Sequence, residues 1–173
     1  METQKITPGK YAINYGLILG GVMIAISIFM YATDMAFKQQ QWPMYIYYVV
    51  FPVVIIMALV SYKKHGAGYL SIGEALKLGL AIAAISAIVN ILYGFLFNYV
   101  IDPEYNQKVM DFSIDLIANS DAPVEQKEMQ RNVLEFFKNP FNASAFWLGM
   151  SLFFGLIYSL IGGLVLKKTD DAY

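Results

Sequence analysis

The sequence predicts an all-α polytopic membrane protein: four transmembrane helices, with an extracytoplasmic amphipathic helical hairpin between the third and the fourth. Three observations predict it. Four long apolar stretches, about residues 13–31, 43–61, 74–100 and 143–166, each approach the ~20 residues a helix needs to cross a bilayer. Their apolar runs are continuous, whereas the strands of a membrane barrel alternate, and in hydrocarbon only a helix or a closed barrel pairs every backbone amide. Finally, a chain of 173 residues that is 58% hydrophobic, 16% aromatic and only 14% charged is too apolar for an ordinary soluble domain. Residues 1–173 are read as a single membrane domain.

The first span follows Lys5 and Lys10 and has the small pair Ala25 and Ser27, as a signal peptide would. Its apolar core is longer than a signal's, and Ala12, Gly16 and Gly20 recur every four residues with Gly21 and Ala25 beside them. It is therefore expected to stay as a transmembrane helix. The second span opens on Trp42, Tyr45, Tyr47 and Tyr48, the residues that settle at a headgroup boundary. It is bulky around Pro52, whose ring removes an amide donor, so a kink is expected there.

The third span begins at Ser71-Ile-Gly-Glu74, a capping box in which serine and glutamate satisfy each other's backbone amides, with Lys77 one turn on. Glu74 and Lys77 are the only ionisable groups at membrane depth. The cap explains them, and a proton- or ion-linked pair at the bundle mouth is the functional alternative. Lipid tails are as apolar as leucine, so membrane helices associate through close packing of small residues and through hydrogen bonds. Ala75, Gly79, Ala83 and Ala87 form such a stripe, with Ser86, Asn90 and Gly94 on the adjoining ridge. Asn90 is the deepest strong hydrogen-bonding side chain, and with Ser86 it is positioned to bridge to Ser151, Ser159 or Tyr158.

Between the third and fourth spans, Asp102-Pro103-Glu104 reads as a helix start, with an aspartate cap and proline at the first helical position. That helix, to about residue 118, carries Tyr105, Val109, Phe112 and Leu116 at helical spacing. After the break at 119–123, a second helix over about 124–138 places Met129, Val133, Phe136 and Phe137 on one side before Asn139-Pro140 ends it. The hairpin, about 102–139, exceeds an ordinary loop, and its apolar faces need a cover: the bundle mouth, lipid headgroups or a docked partner. The fourth span repeats Ser151, Gly155, Ser159 and Gly163.

Charge sets the orientation. Lys5, Lys10, Lys63, Lys64, Lys77, Lys167 and Lys168 flank the spans on one side, which the positive-inside rule makes cytoplasmic, with both termini. The other side holds Asp34, Lys38 and the acidic hairpin, with Asp102, Glu104, Asp111, Asp115, Asp121, Glu125, Glu128 and Glu135.

Twelve Lys and Arg dispersed among thirteen Asp and Glu leave no basic patch for nucleic acid. Cysteine is absent and His65 is the only histidine, and no HExxH, P-loop or Gly-x-Ser-x-Gly pattern occurs, so neither an enzyme nor a metal or other cofactor is expected.

The 16–21 glycine stretch, the run Ser71-Ile-Gly-Glu74-Ala-Leu-Lys77-Leu-Gly79, the exit Tyr99-Val-Ile-Asp102-Pro103-Glu104, and a glycine-rich last span before paired lysines give the chain a family likeness. It resembles, over its full length, the four-span, functionally uncharacterised inner-membrane proteins of Bacteroidota grouped as a domain of unknown function. The resemblance implies a bacterial cytoplasmic-membrane location and this topology, and it carries over no functional residue.

Two roles stand as expectations. The leading one is a non-enzymatic structural or accessory subunit in the lipid bilayer, acting through helix packing and hairpin docking on a membrane-protein partner or a second copy of itself. The alternative is a small transporter or lipid-handling protein with a polar path through Asn90, Ser86 and Ser159, and with Glu74 at its inner end.

Overall fold

The structure, a computed structural model, describes residues 8–38, 40–66 and 68–168. Lys5, one of the charges that orient the chain, lies outside the described residues. Among those described there are six α-helices and no strand: α1 (Pro8–Ala32), α2 (Trp42–His65), α3 (Ile72–Leu96), α4 (Tyr105–Asn119), α5 (Val124–Lys138) and α6 (Pro140–Leu166). A π-helical stretch, Phe97–Ile101, continues α3.

Four of these, α1, α2, α6 and α3 with its π-helical continuation, are long and apolar enough to cross a membrane. Between 22% and 33% of each one's most apolar window is buried inside the protein, so most of that apolar surface faces outward. Ile13, Leu17, Val49, Met57, Leu92, Phe153 and Val165 are all exposed. A belt of this extent is untenable in water and is the expected surface of a bundle solvated by lipid, which points to a multi-pass membrane protein.

The bundle is a ring in the order α1, α3, α6, α2. Gly16 faces Ile82 and Ile85 while Gly20 faces Ser86 and Val89, so α1 and α3 run parallel. Gly155 meets Ala83 and Gly163 meets Ala75, so α3 and α6 run antiparallel. A Cβ added at Gly16 would stand 2.7 Å from that of Ile85, and one at Gly155 would stand 2.5 Å from that of Ala83. Backbones this close leave no room for a side chain. The small-residue stripes of α3 and α6 face each other, whereas the α1 stripe meets larger residues of α3. Gly21 and Ala25, expected beside that stripe, are exposed and lie off the contact. On the far side α2 supplies bulk, with Phe51, Ile55, Ala58 and Leu59 fully or nearly buried. Leu59 fits against Gly162 of α6, a contact residue outside the predicted stripe. The helix runs unbroken through Pro52.

Local chemistry sets most boundaries. The Ser71 hydroxyl accepts from the Glu74 amide at 3.2 Å, and the Glu74 carboxylate accepts from the Ser71 amide at 2.9 Å, which starts α3. Gly68, at φ +86°, makes the turn before it, where a side chain would be strained. Paired backbone bonds of 3.1 Å between Leu70 and Lys168 tie the end of α6 to that turn. The fourth span begins at Pro140, three residues before the predicted start, because Asn139 caps it by accepting from the Phe141 amide at 2.9 Å.

The third span runs over Ile72–Ile101, close to the expected 74–100, with Phe97–Ile101 as its π-helical end. One expectation at this end of α3 is corrected. Asp102 does not cap α4, which starts instead at Tyr105. Its amide closes the π-helical turn on the Phe97 carbonyl at 3.0 Å, and its carboxylate accepts from the Tyr31 hydroxyl of α1 at 3.0 Å. Asp102 stands two residues before the N-cap position, which Glu104 occupies.

Candidate functional site

At the hairpin end of the bundle, α1 and α6 flank the last turns of α3 without closing on each other, and a cavity of about 450 Å³ lies between them under the hairpin. Met23, Ser27, Met30 and Tyr31 form its α1 wall, and Ala143, Ser144 and Trp147 its α6 wall. Asn90, Tyr93 and Gly94 of α3 and Phe97 and Asn98 of the π-helical stretch form its back. A π-helical turn carries more residues than an α-turn, shifts the register of the chain beyond it, and recurs at functional sites. Here the residues on either side of the shift both line the cavity. Tyr105 and Asn106 from the start of α4, with Phe137 and Lys138 from the end of α5, stand over the mouth.

The hairpin is seated on this rim by aromatic contacts. The Tyr105 ring meets those of Tyr31 at 4.9 Å, Phe97 at 5.6 Å and Phe37 at 5.8 Å, all edge-on, the geometry that ring quadrupoles favour. Phe112 packs on Phe37 at 5.6 Å, Asn106 donates to Asn98, and Phe137 packs on Phe146 of α6 at 5.1 Å. Burial, reinforced by the Asp34 carboxylate, pushes the Tyr105 hydroxyl above its usual range. On the outer face of α4, the Glu104 carboxylate 3.0 Å away holds the Lys108 ammonium above its usual range.

The predicted intramembrane polar residues separate into three places. Asn90 lines the cavity, with its amide donating to the Ser86 carbonyl one turn back at 2.8 Å. Ser86, Ser151 and Ser159 are buried in the packed core. Ser151 donates across to the Ala83 carbonyl at 3.0 Å, and Ser159 donates to Gly155 within its own helix at 2.6 Å. The bridge expected between Asn90 and α6 is therefore made by Ser151 to the α3 backbone. Glu74 and Lys77 lie at the opposite end, with Glu74 held in the cap and 3.5 Å from the Tyr62 hydroxyl.

The two hairpin stripes differ. On α4, Tyr105 and Phe112 are half-buried and Leu116 lies at the exposed edge. On α5, Met129, Val133 and Phe136 are 63%, 50% and 50% exposed, while Phe137 turns inward. With Phe146 of α6, these α5 residues line a shallow apolar depression rimmed by Glu125 and Glu128.

Sequence reasoning did not single out Tyr31, Asn98, Asn106, Lys138, Ser144 or Trp147 for this site. Trp147 reads from the sequence only as a boundary aromatic at the start of the fourth span. Its Nε1 is buried and has no hydrogen-bond partner among the described residues, and its ring lies 5.9 Å from that of Tyr47.

A family model described as "Protein of unknown function (DUF4199)" matches residues 14–168. No curated protein and no solved structure matches the chain.

Proposed function

The chain belongs to the DUF4199 family of proteins of unknown function, and from that premise we propose that it is a non-enzymatic accessory subunit of the bacterial cytoplasmic membrane. Its termini face the cytoplasm, and its periplasmic hairpin docks another membrane protein. The observation that carries this reading is the α5 stripe: Met129, Val133 and Phe136 stay exposed although Tyr105, Phe112 and Phe137 of the same hairpin pack against the bundle. That surface runs into the exposed Phe146 of α6, so one apolar face extends from the hairpin toward the lipid-facing helix. A partner with a transmembrane helix and an apolar juxtamembrane segment matches it, and covering the part of these three side chains that is still exposed contributes about 1 kcal/mol each. Replacing Met129 and Phe136 with serine should abolish co-purification of that partner in mild detergent while leaving thermal stability unchanged. Undiminished recovery of every co-purifying protein would overturn the reading.

A second reading, a lipid-handling protein, draws on the cavity that reaches Asn90. Below Asn90 the bundle is closed by the fully buried Ser86, Ile82 and Ala83 and by the contact of Gly20 with Val89. A blind cavity suits retention of a ligand better than conduction through a pore.

A further inference from the structure

The cavity's unused hydrogen-bonding capacity defines what it can hold. We infer that it is a binding site for an anionic, single-tailed amphiphile with an acceptor-rich head, the chemistry that a fatty acid or a lysophospholipid shares. The inference rests on the lipid-handling reading and gives it a ligand class.

Donors gather at the mouth, while at the floor Asn90 donates to the Ser86 carbonyl and leaves its side-chain oxygen as an acceptor. Asn98 accepts from Asn106, which leaves the Asn98 amide hydrogens free to donate. Trp147 has an indole N–H and no acceptor for it among the described residues. That Nε1 is buried away from the open space, so a ligand in the cavity meets the ring of Trp147 and not its N–H. Tyr105 adds a hydroxyl to the lining at the mouth. Lys138 is exposed at the rim, and among the described residues it is the one cation lining the cavity, with no carboxylate beside it there. It directly precedes Asn139 and the N-terminus of α6, where the helix dipole also favours negative charge.

The walls are mostly apolar, with Met23 and Met30 on α1, Ile91 on α3 and Phe97 between them, interrupted by Ser27 and Tyr93. Methionine adapts its shape to a flexible chain. Asn90 and Asn98 are separated by about 12 Å of helix, so the site spans polar mouth to closed floor over the length of a short tail segment. Its volume of about 450 Å³ falls at the lower end of the ~300–1,000 Å³ typical of small-ligand sites, which favours one tail over two.

Gly94 supplies the decisive variant. It lines the cavity, and a Cβ added there would meet nothing within 4 Å, so Gly94→Leu extends a side chain into the site. The chain has two tryptophans, and Trp42→Phe leaves Trp147 as the only one. In phosphatidylcholine nanodiscs, brominated palmitate should quench Trp147 saturably and unlabelled palmitate should reverse the quenching. Lys138→Gln should weaken binding about tenfold, the loss expected for one charge-assisted hydrogen bond. Gly94→Leu should abolish binding with the melting temperature retained. Should that variant lose stability, Ser27→Leu blocks the same space from α1 and must abolish binding in its place. Quenching that rises without saturation, or that survives the blocking variant, overturns the site. Saturable binding of monopalmitoylglycerol but not of palmitate overturns the anionic class and leaves the lipid-handling reading standing. If neither binds saturably, both fall.

Discussion

The Tyr31 hydroxyl donates to the Asp102 carboxylate at 3.0 Å, across 71 positions of sequence, and joins the end of α1 to the point where α3 hands over to the hairpin. Tyr31 also packs edge-on against Phe97 and Tyr105, on either side of Asp102. One residue of the first span thus fixes where the hairpin stands over the cavity. Tyr31→Phe removes the hydrogen bond and keeps the ring, and Asp102→Ala removes the acceptor. Both variants should speed proteolysis of the hairpin at the 119–123 turn in proteoliposomes while the bundle melts at its original temperature. Equal cleavage rates in wild type and both variants would show that the bond does not hold the hairpin.

Gly155 and Ala83 bring α6 and α3 together at backbone distance. Gly155→Ala already places a methyl 2.5 Å from the Ala83 Cβ, and Gly155→Leu adds a branched chain to the same gap. Overpacking of this kind costs about 1–3 kcal/mol, so alanine should lower the melting temperature in detergent and leucine should lower it further and reduce abundance. A leucine variant as stable as wild type would mean that the two helices do not pack along this stripe. Gly149 on α6 serves as the control, since nothing lies within 4 Å of an added Cβ there.

Ser71 and Glu74 act as a cap, and the two roles open to Glu74 respond differently to substitution. Ser71→Ala should destabilise the protein by about 1 kcal/mol, read as a lowered melting temperature. Glu74→Gln should be nearly silent in the same assay, because glutamine also accepts from the cap amide. A large loss of stability in Glu74→Gln would show that its charge carries a role beyond the cap.

Orientation is accessible through Ser120, in the turn between α4 and α5. The chain has no cysteine, so Ser120→Cys gives a single reactive thiol. A membrane-impermeant maleimide should label it from the periplasmic side of intact spheroplasts. Labelling only after the membrane is opened would invert the topology.

The membrane character was legible from the chain alone, because apolar length is a local property that needs no tertiary contact to be read. The Ser71 cap was legible for a similar reason: its partners are three residues apart, and the backbone brings them together unaided. The small-residue stripes marked which faces could approach closely. They could not say that α3 would meet α6 stripe to stripe while α1 would lay Gly16 and Gly20 against Ile85 and Val89, since periodicity names a face and not its neighbour.

The cavity was the work of the tertiary structure. Asn90 was visible as the deepest amide of its span, but Asn98, Tyr31, Lys138 and Trp147 are scattered along the chain, and nothing local links them. Asp102 shows the reason most clearly. Its sequence neighbours, Pro103 and Glu104, spell a helix cap, yet a tyrosine from a distant helix takes the carboxylate and α4 begins later. A local preference worth about 1 kcal/mol gives way when packing sets the chain in another geometry at that point.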